Sequence, residues 1–248
     1  MPWWLLKWLW RSLVTELRAG VRNLGALPRF VSGYLRYARL AGPEGRPRAR
    51  HLYPCLGDDV GVTAIEPTYF YQDAWAFERI VEARPAAHLD VGSHHKYVAL
   101  LSKVVPVTMV DIRPLSLPME SLRFQAGSIL ALPYPDRSVA SLSSLCVVEH
   151  IGLGRYGDPI DPAGAWKALD ELKRVMAENG DLYVSVPIHD TPRVYFNAHR
   201  AFSEAELLAR VAPLELVQAR YIYGERFVEA REKGLGIGCY HLRRPPRP

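Results

Sequence analysis

Acidic residues and a histidine follow apolar runs in the middle of the chain, at Asp90, Asp111, Glu149 and His150. A carboxylate accepts hydrogen bonds through two oxygens, and a histidine exchanges protons near neutral pH. In parallel α/β sheets, functional groups collect at the carboxyl ends of the strands, where these residues would fall. Their types and positions therefore indicate a ligand site with acid–base chemistry.

The elements that would position these residues are apolar runs alternating with helical patterns. The runs lie at 88–92, 107–113, 141–151 and 182–187. A helix is predicted over 163–176, with Asp161 as its N-cap and Pro162 in its first turn, and a turn follows at Asn179-Gly180. Continuous apolar runs that alternate with helices are typical of a parallel sheet covered on both faces.

Two further helices are predicted on either side of this region. Residues 72–82 (QDAWAFERIVE) form an amphipathic helix before the first strand. Ser203-Glu-Ala-Glu206 has the pattern of a capping box, which begins another helix that ends near Pro213.

The order of these elements over 69–222 resembles that of the class I S-adenosylmethionine-dependent methyltransferases. Residues 132–138 (LPYPDRS) look like that family's LPF-x-D-x-S stretch, and 176–182 (MAENGDL) look like its LKPGG-x-L turn. More narrowly, EHIGLGRYGDPID (149–161) and FNAHR (196–200) resemble an uncharacterised methyltransferase-like family of unknown function. Members of that family often accompany surface-polysaccharide genes.

The resemblance implies an α/β fold with a Rossmann-like methyltransferase sheet, mostly parallel. Residues 214–223 and 238–242 would form its closing antiparallel hairpin, with a loop or short helix over 225–236. It also implies S-adenosylmethionine as cofactor, with Asp111 accepting from both ribose hydroxyls. Aromatic residues of 66–71 would either line the methionine pocket or simply pack. The residues implied to bind cofactor are Asp90, Gly92, Ser93, Asp111, Ile112, Ser128 and Glu149.

Two positions depart from the family's pattern. The first loop usually reads D-x-G-x-G-x-G, but here it reads DVGSHHK (90–96), so Gly92 alone is kept. Ser128 stands where an Asp commonly binds the adenine amino group, and its hydroxyl can still accept that bond. Either the cofactor binds despite these changes, or a sheet of this topology binds something else or nothing.

Three residues are candidates for catalysis. His150 is the first choice as a base for a hydroxyl acceptor, because a histidine near its ordinary pKa suits that work at neutral pH. His199 is the second choice. Arg155 would pair with a carboxylate or phosphate. The alternatives are a structural hydrogen bond for His150 and a backbone-capping role for Glu149.

Several classes of function are disfavoured. The eight histidines show no pair at helical ligand spacing, so no metal site is expected. The three cysteines, Cys55, Cys146 and Cys239, lie far apart and fit free thiols in a reducing compartment. Cys146 is interpreted as an apolar filler rather than a catalytic thiol. The first loop lacks G-x-G-x-x-G, which argues against a nicotinamide enzyme.

Positive charge is concentrated at the N-terminus. Residues 1–50 hold ten Lys/Arg and two acids, a net charge of +8, whereas 51–248 hold 21 basic and 24 acidic residues, a net charge of −3. We therefore predict a basic arm (1–41), a linker (42–50) and a methyltransferase-like domain (51–248). Nothing in the domain indicates nucleic-acid binding.

The arm carries four of the six tryptophans and forms an amphipathic helical pattern with basic and apolar arcs side by side. This pattern is typical of a helix in a membrane interface, although packing on a protein partner or on its own domain is the alternative. Charges interrupt any stretch long enough to span a bilayer, and no signal-peptide cleavage pattern follows. The predicted location is cytoplasmic, peripheral on the inner membrane face.

The sequence thus predicts transfer of a methyl group from S-adenosylmethionine to a sugar or lipid-linked glycan hydroxyl at the membrane surface. The alternative is a non-catalytic, membrane-tethered binding or scaffold protein that kept the sheet.

If the arm is interfacial, the full chain should bind anionic vesicles more tightly than neutral ones, and salt should weaken the binding. Each basic residue near anionic lipid contributes about 1 kcal/mol. Replacing Lys7, Arg11, Arg18 and Arg22 by Gln should remove the preference for anionic lipid without affecting folding of the domain. Tryptophan fluorescence with vesicles measures this, and indifference to both vesicle types would make the arm a protein-packing helix.

Overall fold

The computed structural model describes residues 24–59, 61–113 and 115–247, so residues 1–23, which carry the arm's tryptophans, lie outside the described residues. The chain divides into two compact units between Ala64 and Ile65. The predicted boundaries of arm, linker and domain stay predictions.

In the first unit, residues 24–40 are helical, followed by a helical turn at Gly42–Gly45 and a 3₁₀ turn at Ala49–His51. None of the described helices is long and apolar enough to cross a membrane.

The second unit is built on an eight-stranded sheet with the order β3-β2-β1-β4-β5-β10-β8-β9. Strands β1 to β5 pair in parallel, and β10, β8 and β9 continue the sheet in antiparallel pairing. The predicted class, a mostly parallel Rossmann-like sheet closed by an antiparallel hairpin, is confirmed. The sheet strands are β1 (His88–Val91), β2 (Val107–Asp111), β3 (Leu122–Ala126), β4 (Val139–Leu145), β5 (Met176–Ile188), β8 (Glu215–Tyr223), β9 (Arg226–Val228) and β10 (Gly236–Arg243). A separate two-stranded hairpin consists of β6 (Arg193–Tyr195) and β7 (His199–Ala201).

Four helices accompany the sheet: α1 (Pro67–Ala83), α2 (His95–Leu101), α3 (Gly164–Val175) and α4 (Glu204–Val211). Leu169 and Leu172 of α3 belong to one buried cluster, together with Leu182 and Val184 of β5. Residues of α1 and α2 belong to a second cluster that includes Tyr183 of the same strand. Because successive residues of a strand point to opposite faces, the sheet carries a core on each side.

One helix start and one capping interaction differ from the sequence prediction. Helix α3 begins at Gly164 with Ala163 as its N-cap, although Asp161 Oδ1 still accepts from the Ala163 N–H at 2.9 Å. Ser203 is the N-cap of α4 but makes no side-chain capping bond. The adjacent carboxylate, Glu204, is used elsewhere, because its Oε1 accepts from the Tyr221 and Tyr240 hydroxyls.

Two strand predictions are also corrected. The segment 225–236, predicted as a loop or short helix, contains β9, which adds an edge strand to β8. The turn predicted at Asn179-Gly180 lies inside the long strand β5, where the register with β4 shifts. Asn179 has φ +58°, and it donates to Arg244 O, so the distortion is tied to the segment after β10.

Candidate functional site

A cavity of about 670 Å³ opens at the carboxyl ends of β1, β2 and β4. Six of the sequence-predicted site residues line it: Gly92, Ser93, Asp111, Ile112, Ser128 and His150. The others, Asp90, Glu149, Arg155 and His199, lie outside the lining. The volume is that of an ordinary small-molecule pocket, which ranges from about 300 to 1,000 Å³.

The first loop keeps its shape with a single glycine. Gly92 has φ +73°, and an added Cβ would lie 3.0 Å from Val147 Cγ1. Two hydrogen bonds then fix the loop: Asp90 Oδ1 accepts from the Ser93 N–H at 3.0 Å, and Ser93 Oγ accepts from the Leu145 N–H at 2.9 Å. Ser93 thus joins the loop to the end of β4.

Asp90 is fully buried, lies outside the cavity lining and belongs to a polar network between β1 and β4. Its Oδ2 accepts from Ser143 Oγ at 2.6 Å. Ser143 Oγ in turn lies 2.8 Å from His88 Nε2, and the His88 Nδ1 lies 2.7 Å from Ser141 Oγ. Because the single Ser143 hydroxyl proton goes to Asp90, His88 Nε2 donates and Nδ1 accepts, which is the neutral imidazole.

Burial explains the protonation of this network. It lowers the pKa of His88 to about 3 and raises that of Asp90 to about 6, the latter against the opposing effect of its hydrogen bonds. Both oxygens of Asp90 thus accept hydrogen bonds from Ser93 and Ser143, and its predicted part in cofactor binding stays a prediction. His88 and Ser143 were not predicted from the sequence, and the signal for them is the alternation of serines within an otherwise apolar strand.

One group of lining residues is expected to hold a nucleoside. Asp111 ends β2, and its Oδ1 accepts from the Arg113 N–H at 2.7 Å. Among the contacts of the described residues, Asp111 Oδ2 has no partner. Ser128 Oγ accepts from the Leu130 N–H at 3.2 Å, and Ile112 is half-exposed beside it. A carboxylate with a free oxygen at a strand end can accept from a hydroxyl-bearing ligand.

A second group of lining residues consists of Tyr69, Cys146, His150 and Tyr156, with the His150 and Tyr156 rings 5.5 Å apart. Tyr69 lies in the first turns of α1, so one aromatic residue of 66–71 reaches the cavity, although this segment belongs to the helix rather than preceding it. Cys146 Sγ lies 3.1 Å from Gln72 Oε1, and burial raises the pKa of the thiol well above its ordinary value. A thiol held protonated is a poor nucleophile, in agreement with its interpretation as a filler.

Glu149 precedes His150, lies outside the cavity lining and is almost fully buried. Its Oε2 has no hydrogen-bond partner among the described residues, and its Oε1 lies 3.7 Å from His150 Nε2. Burial raises the pKa of this carboxyl from 4.5 to about 8, in spite of the Cys146 hydrogen bond and the Arg155 charge, which lower it. Glu149 is therefore mostly protonated at neutral pH.

His150 differs from the expectation of a histidine near its ordinary pKa. Its Nδ1 lies 2.6 Å from Ala198 O, and since a carbonyl only accepts, Nδ1 carries the proton and Nε2 keeps a free lone pair. Burial, assisted by the nearby Arg155 charge, lowers the pKa of His150 to about 4 against the opposing effect of the Ala198 hydrogen bond. The ring is thus a neutral, weak base that lines the cavity.

Arg155 ties the β6–β7 hairpin to the loop 149–161, whereas His199 packs within the hairpin. Arg155 Nη1 donates to Ala198 O at 3.0 Å, the same carbonyl that His150 binds. The ring of His199 packs against Tyr195 at 4.9 Å, outside the cavity lining. From the hairpin, the buried Arg200 donates to Pro162 O and Ile151 O at 2.9 and 3.2 Å.

The loop 149–161 closes on itself through glycines. Gly152 donates to Asp158 Oδ2 at 2.7 Å, and its carbonyl accepts from the Asp161 N–H at 3.0 Å. Gly152 has φ +83°, and an added Cβ would lie 1.9 Å from Asp161 O. Gly157, in the same loop, has φ +90° and open space around the Cβ position.

This difference predicts unequal effects of two alanine substitutions. Gly157→Ala should cost about 1–2 kcal/mol of unfolding free energy, which is the penalty of the left-handed conformation. Gly152→Ala carries that penalty and also forces the backbone apart, so it should cost about 3 kcal/mol or more. Urea unfolding of the full chain measures both variants. Equal losses would mean that the close approach of Gly152 to Asp161 is not a constraint.

The buried Glu149 predicts a pH-dependent stability. Because its folded-state pKa of about 8 lies above its ordinary value of 4.5, the folded protein holds a proton that the unfolded chain releases between these values. The contribution of Glu149 to stability therefore falls as pH rises across that window.

The unfolding free energy of Glu149→Gln minus that of wild type should therefore rise by at least about 1 kcal/mol from pH 5 to pH 8. Urea unfolding at both pH values measures this, with Glu215→Gln on the exposed start of β8 as control. If the difference in unfolding free energy between Glu149→Gln and wild type did not change with pH, Glu149 would not be protonated in the folded protein.

Comparisons with known proteins agree with this architecture. Residues 135–229 match the family model described as Caenorhabditis protein of unknown function, DUF268, which covers less than half of the chain. That range includes 149–161 and 196–200, while the narrower family association of these two motifs stays a prediction. No curated protein matches the chain in sequence.

Solved structures resemble the chain at low sequence identity. The [4+2]-cyclase SpnF is 13% identical with a TM-score of 0.52, over 71% of this chain and 82% of that chain. The N-methyltransferase NodS from Bradyrhizobium japonicum WM9 is 13% identical with a TM-score of 0.53, over 73% of this chain and 98% of that chain. NodS in complex with S-adenosyl-L-homocysteine is 11% identical with a TM-score of 0.52, over 86% and 98%. This likeness is one of fold, and the chain has the class I methyltransferase fold.

Proposed function

We propose that this protein transfers a methyl group from S-adenosylmethionine to a hydroxyl acceptor. The observation that carries the proposal is the Asp111 carboxylate, which ends β2 with one oxygen free in a cavity that Gly92 also lines. A carboxylate with a free oxygen suits a ribose diol, which offers two neighbouring donors. NodS, which resembles this fold, was crystallised with S-adenosyl-L-homocysteine.

The residues present fit this cofactor. Asp111 would hold the ribose, Ile112 and Ser128 would lie against the adenine, and the backbone at Gly92 and Ser93 would meet the methionine part. Bound there, the cofactor supplies an electrophilic methyl group. Asp90 orients the loop from below, since its oxygens are occupied by Ser93 and Ser143.

The acceptor would lie against the lining residues Tyr69, Cys146, His150 and Tyr156. The neutral His150, whose Nε2 has a free lone pair, accepts a hydrogen bond from an acceptor hydroxyl and orients its oxygen. Its pKa of about 4 makes it a weak base, so alignment and exclusion of water contribute more than proton removal. Arg155 contributes by binding Ala198 O, the hairpin carbonyl that also holds His150, and His199 contributes by packing on Tyr195 within the hairpin.

The sugar or lipid-linked glycan identity of the acceptor comes from the resemblance of the motif at 149–161. Attachment to the inner membrane face is supported by the helix over 24–40. Its exposed apolar residues Leu24, Leu27, Val31 and Leu35 lie on one side by helical spacing. Arg39 flanks this stripe, and Arg29 and Arg36 lie on the opposite side of the helix, so that an apolar side and a basic side coexist, as in helices that bind anionic membrane surfaces.

A second candidate is a membrane-tethered protein that binds a ligand without transferring a methyl group. The observation that favours it is the first loop, where Ser93, His94, His95 and Lys96 follow the only glycine. SpnF, which resembles this fold, is a [4+2]-cyclase, so the fold by itself does not imply methyl transfer.

Calorimetric titration with S-adenosylhomocysteine tests the role of Asp111. Asp111→Ala should weaken binding by roughly 1.5–3 kcal/mol, the contribution of charge-assisted hydrogen bonds. Asp111→Asn, which keeps one acceptor oxygen, should lose less. Asp136→Ala, at an exposed turn before β4, is the control and should bind as wild type does. Equal affinity in Asp111→Ala and wild type would remove this assignment.

A further inference from the structure

Tyr156 at the cavity rim has two guanidinium groups stacked on its ring. The Arg113 Cζ lies 4.3 Å from the ring centroid, and the Arg155 Cζ lies 5.0 Å from it. Tyr156 and Arg113 line the cavity, and Arg155, outside the lining, lies over the same ring. Arg113 follows β2 and Arg155 belongs to the loop 149–161, so the ring brings together charges from two separate segments. An aromatic face attracts each cation.

These two charges are poorly compensated. Within the described part of the chain, no carboxylate lies within 4 Å of Arg155, and the carboxylate nearest Arg113 is Asp111, 4.0 Å from its Nε. Asp158 is the other acid in the lining, but its oxygens are committed to the loop, at 2.7 Å from the Gly152 N–H and 3.3 Å from the Tyr156 N–H.

The hydrogen-bonding capacity of both side chains is also largely free. Arg155 uses Nη1 for Ala198 O, and Arg113 is more than half exposed. Glu149, in the same loop as Arg155, is buried and does not line the cavity. The rim therefore combines two preorganised cations with unused N–H donors.

We propose that Arg113 and Arg155, held by Tyr156, form a subsite for an oxyanion, a phosphate or carboxylate group of the acceptor. A guanidinium offers a planar fork of donors that matches either group in bidentate fashion. Stacking on Tyr156 restricts both side chains before binding, which reduces the entropy lost when the anion is bound. The attribution to the acceptor rests on the proposed methyl transfer, whereas anion binding itself does not.

The test is calorimetric titration of the full chain at low salt with inorganic pyrophosphate and, separately, with malonate. We expect one of the two to bind, and the tighter binder identifies the class of oxyanion. Arg113→Gln and Arg155→Gln should each weaken that binding about tenfold or more. Arg155→Lys, which keeps the charge but loses the planar fork, should lose less than Arg155→Gln. Arg123→Gln, near the amino end of β3, is the matched control and should bind as wild type does.

A second titration is made with S-adenosylhomocysteine present in excess. The anion should then bind as well as before, because the two guanidinium groups are not among the proposed cofactor contacts, which are Gly92, Ser93, Asp111, Ile112 and Ser128. Competition between the two would place the anion in the cofactor site and overturn the proposal. Binding of neither anion, or equal binding in all variants, would overturn it too. Failure of S-adenosylhomocysteine itself to bind would instead count against methyl transfer and leave the anion subsite standing.

Discussion

The hydrogen bond from Ser143 to Asp90 is the interaction on which the candidate site depends. It joins the neighbouring strands β4 and β1 at 2.6 Å in a fully buried environment. The second oxygen of Asp90 fixes Ser93, and Ser93 in turn receives the Leu145 N–H. A buried polar group left without its partner costs about 1–3 kcal/mol, so each member of this network holds the others in place. A loop with one glycine can thereby keep a shape that usually takes three.

Burial divides the site into an uncharged floor and a charged rim. On the floor, desolvation raises the pKa of Glu149 to about 8 and lowers that of His150 to about 4, so both groups are mostly neutral at pH 7. At the rim, Asp111, Arg113 and Arg155 keep contact with solvent or with each other. Charged groups therefore lie where a ligand would enter, and uncharged groups that can form hydrogen bonds lie where a reaction would take place. Electrostatic interactions are stronger in such a water-poor interior.

The sheet could be predicted from the sequence because its central strands are continuous apolar runs, which are visible in a short stretch of residues. The sequence also predicted six residues that line the cavity, since strand ends follow directly from those runs. The role of Asp90 was not predictable, because its partner Ser143 lies on another strand. The pKa of His150 depends on burial in the folded chain and on a hydrogen bond to Ala198, which is distant in sequence. Strand β9 is short and pairs only at the sheet edge, so its residues carry little periodic signal. The stacking of Arg113 on Tyr156 is likewise a long-range contact.

The most direct test of the account is a crystal structure of the full chain with S-adenosylhomocysteine. The account predicts the ribose hydroxyls within hydrogen-bond distance of Asp111, the amino-acid part at Gly92 and Ser93, and the sulfur directed toward Cys146 and His150. Ligand bound elsewhere, or the ribose away from Asp111, would contradict the assignment of this cavity to the cofactor.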